Sequence, residues 1–132
     1  MTYPTSEVLT QTYNSRGLPY SLSSSTNGTL VSSALYNGLG QVTDLNFYNN
    51  TKTTFGYWGV GGGYDATGGY YGKLWEIKVS KVSPATTLLD LQHTWDATGN
   101  LTQRVFVGGE TENFAYDFLN RLVSTSGAYS YT

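Results

Sequence analysis

The sequence predicts an all-β fold of stacked antiparallel hairpins, on three observations. An aromatic residue followed by Asn or Asp and a small, flexible stretch recurs five times. The runs between these beats alternate apolar and polar residues, as strands do. No segment carries a convincing apolar period of 3.6 residues, so little or no helix is expected.

Taken in order, the beats are "TYNSRGLPYSL" from 12, "LYNGLGQVTDL" from 35, "GYDATGGYYGKLWEI" from 63, "TWDATGNLTQR" from 94 and "AYDFLNRLVST" from 115. Their anchors are Tyr13, Tyr36, Tyr64, Trp95 and Tyr116, spaced 23, 28, 31 and 21 residues apart. Asn and Asp bond their own backbone two residues on, and Gly supplies positive φ without steric cost. Each beat therefore reads as a strand end, a turn and the next strand, with the anchors as repeat-core aromatics. Between the third and fourth anchors, Trp75, Ile77 and Val79 share one face opposite Glu76, Lys78 and Ser80. Leu89, Leu91, His93 and Trp95 likewise oppose Asp90, Gln92 and Thr94.

Two stretches depart from the beat. Residues 22–33 are Ser/Thr-rich and contain Asn27-Gly28, a strong signal for a two-residue hairpin turn. Residues 55–72 form a glycine and aromatic insertion, expected as a loop or bulged hairpin.

Bulk properties narrow the function. At 132 residues the chain suits one domain, and a compact fold of that length has enough apolar surface to build a core. A net charge of −2 leaves no basic face for phosphates, so nucleic acid is not an expected partner. There is no cysteine, which excludes disulfides and thiol chemistry, and no apolar run long enough to span a bilayer. The first ten residues have neither a basic nor an apolar signal region.

With its units "TYNSRGLP", "GYYGKLWEI", "TWDATGNLTQR" and "AYDFLNRLVS", the chain resembles the RHS or YD-repeat family. Its departures are Asn14 and Asn37 for Asp, Trp95 for Tyr, and Asn120 where glycine is usual. The resemblance implies a strip of hairpins that in complete members spirals into a hollow shell, enclosing a toxic segment in bacterial systems or serving adhesion in animals. It also implies an extracellular or cell-surface setting. The family's Asp-Pro-x-Gly plug element is absent from these residues. The expected organisation is one YD-repeat domain over 1–132, about five units, cut as a window from a longer array. Such a window would have two unpaired strand edges, making the chain itself a partner, as oligomer or fibre.

Chemistry is sparsely signalled. His93, the sole histidine, lies on a predicted strand face with Leu89, Leu91 and Trp95 and reads as structural. Asp65, Asp96 and Asp117 recur at one turn position; paired acids of a hydrolase would need a set separation, and the turn itself accounts for the recurrence. "DATGN" lacks the alternating acids of a calcium loop, and the glycine run lacks phosphate-loop spacing. No catalytic residue, cofactor or metal is expected. Tyr57, Trp58, Tyr70 and Tyr71 offer flat rings suited to glycan stacking, or a cell-surface partner, as the alternative function. Asn27, Asn49 and Asn100 head Asn-x-Ser/Thr triplets and could accept N-glycans.

Overall fold

The computed structural model describes residues 6–59 and 72–127, all strand, turn or irregular backbone without helix. Ten strands follow one another in sequence order in a single antiparallel sheet. They are β1 (Leu9–Tyr13), β2 (Pro19–Ser24), β3 (Gly28–Tyr36), β4 (Val42–Phe47), β5 (Thr51–Tyr57), β6 (Leu74–Lys81), β7 (Thr86–Trp95), β8 (Leu101–Phe106), β9 (Thr111–Tyr116) and β10 (Leu122–Ser126). The expected all-β strip of hairpins is the fold found. Contacts divide it into two compact units, Met1–Thr54 with Val79–Leu88, and Phe55–Lys78 with Leu89–Thr132.

In the first unit, β1 pairs β2 and β3 pairs β4, with Leu22 opposite Val31 and Ala34 opposite Leu45. A shallow apolar depression of about 230 Å³ lies on this face, lined by Leu22, Val31, Ala34, Tyr36 and Leu45 among others. In the second unit β7 pairs β8, β8 pairs β9 and β9 pairs β10, with His93 opposite Arg104 and Arg104 opposite Glu112. One cross-strand ion pair there joins Arg104 to Glu112 and another joins Lys78 to Asp90, while Asp44 and Lys52 pair in the first unit.

Among the described residues, the core that this chain length could support is hardly built. Ala34, at 6% exposure, is the only buried apolar residue among those described, and fifteen large apolar side chains are exposed. The described strands form one sheet layer, and a sheet face buries its side chains fully only against a second layer. Hydrophobic burial is correspondingly modest, and the backbone ladder with its turns carries an unusual share of the specification.

The Asn27-Gly28 hairpin also differs from expectation. Ser24 pairs Gly28, so the loop holds three residues instead of two. The Ser24 hydroxyl oxygen accepts from the backbone N–H of Thr26 and Asn27, each at 3.0 Å, and Gly28 supplies the left-handed residue at φ 71°. A side-chain cap thus draws in one more residue than a tight two-residue turn needs.

Candidate functional site

Four of the five beats fall within the described residues, and all four adopt one turn. In each, the side-chain oxygen following the aromatic accepts two backbone N–H bonds. Asn14 Oδ1 takes them from Arg16 (2.9 Å) and Leu18 (3.1 Å), and Asn37 Oδ1 from Leu39 (2.9 Å) and Gln41 (3.0 Å). Asp96 Oδ1 takes them from Thr98 (3.0 Å) and Asn100 (2.8 Å), and Asp117 Oδ1 from Leu119 and Arg121, both 2.9 Å. The backbone closes around each: the Asn or Asp N–H donates to the carbonyl four residues on, and its own carbonyl accepts from the residue three on.

That last residue must adopt a left-handed conformation. It is Gly17 (φ 74°), Gly40 (φ 81°) and Gly99 (φ 102°) in three turns and Asn120 (φ 59°) in the fourth. Asparagine is among the few residues with a side chain that visit this region readily, so the departure at Asn120 preserves the geometry. The fifth beat, with Tyr64 and Asp65, lies outside the described residues.

The acids in these turns are committed to hydrogen bonds within the turn, from backbone and side chains alike. Hydrogen bonds from the Thr98 hydroxyl first, then from Asn100 and Gly99, hold the Asp96 carboxyl well below the usual carboxylate range. The Arg121 backbone N–H, followed by its side chain and Leu119, lowers Asp117 in the same direction. A carboxylate so stabilised in its charged form is a poor proton donor. The Asx oxygens hold turns.

The anchors differ in surroundings. Tyr36 is half-buried and donates its hydroxyl to Pro19 O at 2.7 Å, and Trp95 Nε1 donates to Leu74 O at 2.7 Å. Tyr116 is half-buried. Tyr13, by contrast, is 61% exposed and packs in no core, because it ends β1, the first strand in the sheet order.

Beside Trp95 lies a side-chain cluster of the second unit. The Trp58 and Trp75 rings sit 6.3 Å apart at 58°, and His93 stacks on Trp95 at 6.5 Å and 29°. Trp58, Trp75, Gln92, His93 and Thr94 line a cleft of about 300 Å³. Burial, opposed by a backbone hydrogen bond at Trp75 and assisted by nearby Arg104, lowers the His93 pKa. Its Nδ1 is buried with no hydrogen-bond partner among the described residues. Of the rings proposed to stack on glycans, Trp58 belongs to this cleft and Tyr57 is half-buried, with its hydroxyl pKa raised by burial. Tyr70 and Tyr71 lie outside the described residues.

A second cluster went unread in the sequence as a unit. Burial and the neighbouring Asp90 raise the Glu76 pKa, while Lys78, hydrogen-bonded to Asp90 at 3.1 Å, is raised by that bond first. Strict alternation along β6 and β7 was the signal that puts Glu76, Lys78 and Asp90 together. Among the described residues no group of three or more His, Asp or Glu side chains is placed to hold a metal ion.

The Asn-x-Ser/Thr positions are unequal. Asn27 and Asn49 are exposed. Asn100 Nδ2 instead donates to Asp96 Oδ2 (2.9 Å), Thr98 Oγ1 (3.0 Å) and Asn120 Oδ1 (2.9 Å), so its amide is built into a turn.

No family model matches the sequence, and no curated protein matches it. Solved structures do. The chain superposes on the Photorhabdus luminescens Tc holotoxin pore carrying a TccC3 mutation, with a TM-score of 0.80 at 18% identity, over 94% of this chain and 6% of that one. TcdB2-TccC3-TEV matches equally, at 0.80 and 18% over the same shares. TcdB2-TccC3-Cdc42 matches at 0.77 and 18%, over 91% of this chain and 6% of that one. The chain thus spans about a sixteenth of the chains it matches, and shares with that portion the strip-of-hairpins fold.

Proposed function

We propose that this chain is a non-enzymatic structural segment of an RHS/YD-repeat array, a stretch of β-wall continued by strands pairing on its edges. The observation that carries the reading is the fourfold recurrence of one Asx-closed turn, in each of which Oδ1 accepts from two backbone amides. A fold shared with about a sixteenth of much longer toxin-complex chains supports the same reading. On this proposal residues 1–132 form one domain of about five units from a longer array, in an extracellular or cell-surface protein. Isolated, it pairs through β1 and β10 with further copies of itself. Hydrogen exchange tests this: the amides of β1 and β10 should gain protection as concentration rises, while those of the Asx turns stay constant. Exchange independent of concentration contradicts edge pairing.

A second reading has one observation in its favour. The Trp58–Trp75 cleft presents two tilted rings beside the His93 imidazole, surfaces on which a sugar ring could stack. The alternative function is therefore a glycan- or cell-surface-binding module. Trp58→Ala should then weaken retention on a glycan array while leaving circular dichroism unchanged, and an array blank for the unaltered chain sinks the reading.

A further inference from the structure

The dipeptide Asn-Gly occurs twice, at Asn27-Gly28 and Asn37-Gly38, and the two copies are held very differently. We propose that Asn27 is a self-modifying site: the Gly28 backbone nitrogen attacks Asn27 Cγ and ammonia leaves, and water then opens the succinimide to an aspartyl or isoaspartyl residue. Asn37 is kept unreactive by its turn.

The chemistry is a nucleophilic displacement at an amide and needs only water as co-reactant. The Gly28 N–H proton is lost as the N–Cγ bond forms, the Cγ–Nδ2 bond breaks, and the departing nitrogen leaves as ammonia. Hydrolysis of the new Cγ–N bond gives an aspartyl residue and hydrolysis of the original peptide C–N bond gives an isoaspartyl residue, in either case with one carboxylate in place of the amide. Glycine as the second residue presents no Cβ to hinder ring closure, and a Cβ at Gly28 would meet nothing within 4 Å, so the surroundings are open too.

The held copy shows what prevents this. The Asn37 amide is fixed at three points: Oδ1 accepts from the Leu39 and Gln41 N–H at 2.9 and 3.0 Å, and Nδ2 donates to Gln41 Oε1 at 2.8 Å. Swinging Cγ onto the next backbone nitrogen breaks all three. Asn27 is exposed, and the one hydrogen bond its side chain makes among the described residues is a long one, Nδ2 to Glu7 Oε1 at 3.4 Å. Losing two further bonds slows Asn37 by roughly tenfold to a hundredfold.

The product has a structural consequence because of what Asn27 faces. Glu7 accepts a short hydrogen bond from the Ser24 hydroxyl, the same hydroxyl whose oxygen caps the Thr26 and Asn27 amides. Two backbone-linked bonds extend this contact, from Val8 N to Ser25 Oγ at 3.0 Å and from Ser25 N to Val8 O at 2.9 Å. Replacing the Asn27 amide by a carboxylate turns a donor to Glu7 into a like charge. The modification therefore loosens the start of β1, the strand at one end of the sheet order.

The test is peptide mapping by mass spectrometry of the whole folded chain aged in mildly alkaline buffer, run in parallel with the chain in concentrated urea. The expected result is the amide-to-acid mass gain at Asn27 well ahead of Asn37 when folded, and comparable rates at the two in urea. Equal rates in the folded chain overturn the proposal, and a difference that persists in urea overturns its structural cause. For the consequence, Asn27→Asp should speed hydrogen exchange of the β1 amides and leave those of β9 and β10 unchanged. Unaltered β1 exchange overturns the loosening.

Discussion

Asn100 Nδ2 lies 2.9 Å from Asn120 Oδ1, a hydrogen bond between two successive turns of the second unit, with Thr98 Oγ1 3.2 Å from the same oxygen. The first unit achieves the same link with other chemistry: the Arg16 guanidinium donates to Asn37 O at 2.8 Å and to Gly38 O at 3.2 Å. Arg16 and Thr98 both stand three residues after their anchors, so the repeat assigns one position to reaching the next turn. Neighbouring hairpins are joined by their turns as well as by their strands.

Asn120 serves as both left-handed residue and acceptor, and substitution separates the two roles. Asn120→Gly keeps the backbone and loses the acceptor, at a cost of about 1 kcal/mol or less. Asn120→Ala adds left-handed strain, for about 2 kcal/mol in total. Urea titration of both variants checks the order, and an alanine variant as stable as the glycine one removes the backbone role.

Gly56 on β5 is a position where only glycine fits. A Cβ there would stand 2.4 Å from Trp75 Nε1 and 2.7 Å from Cε2. Gly56→Ala must displace the indole and should cost about 1 to 3 kcal/mol, with a change in tryptophan emission. Gly38→Ala, where a Cβ meets nothing within 4 Å, should stay within about 0.5 kcal/mol of the parent.

His93 gives the second unit a pH dependence of defined sign. Its pKa is lowered in the folded chain, mainly by burial, so folding favours the neutral ring. Among the described residues, Arg104 stands opposite it on β8, bridged to Glu112 on β9, and the ring on which it stacks, Trp95, has the Lys73 ammonium 5.8 Å from its centroid. The stability contributed is present above the unfolded value of about 6.5 and is lost as pH falls from there through the lowered folded value. His93→Gln should flatten stability across this window. An unchanged slope in the variant would assign the dependence elsewhere.

The turn carboxylates act at lower pH. Asp96 and Asp117 are both lowered by hydrogen bonds to the charged form, so their contribution is present above the unfolded value near 4 and lost as pH falls through the folded values. Asn14 and Asn37 make the same pair of backbone bonds without a charge. Asp96→Asn should therefore keep the fold while weakening its acid sensitivity, and Asp96→Ala should destabilise the β7–β8 hairpin. Loss of folding in Asp96→Asn would show that the acid does more than close a turn.

Much of this was legible because the turn is a local device. Its acceptor, its aromatic and its left-handed residue sit within five positions, so Asn14, Asn37, Asp96 and Asp117 announce their hydrogen bonds in the sequence. Alternation likewise placed Glu76 and Lys78 across from Trp75. What the sequence concealed is non-local. The Arg16 reach to Asn37 spans 21 residues, and the Ser24 cap that lengthens the Asn27 loop looks like one serine among several. The scarcity of buried apolar residues among those described was concealed for a different reason: apolar content reports what could be buried, whereas burial depends on what packs against the sheet. Tyr13 reads like its sister anchors and differs in standing on β1, the first strand in the order of the described sheet.

Sedimentation velocity across a wide concentration range tests the central claim, that this is a strip of wall with edges made for further strands. Val8, just before β1, and Val123, within β10, are exposed, and Phe118, at 91% exposure in the turn before β10, adds apolar surface beside that strand. The account predicts a weight-average mass that rises with concentration for the unaltered chain. Lysine at Val8 and Val123, a charge that natural sheets use to blunt their edges, should return it to monomer. An unaltered chain that remains monomeric at the highest concentration would contradict the account.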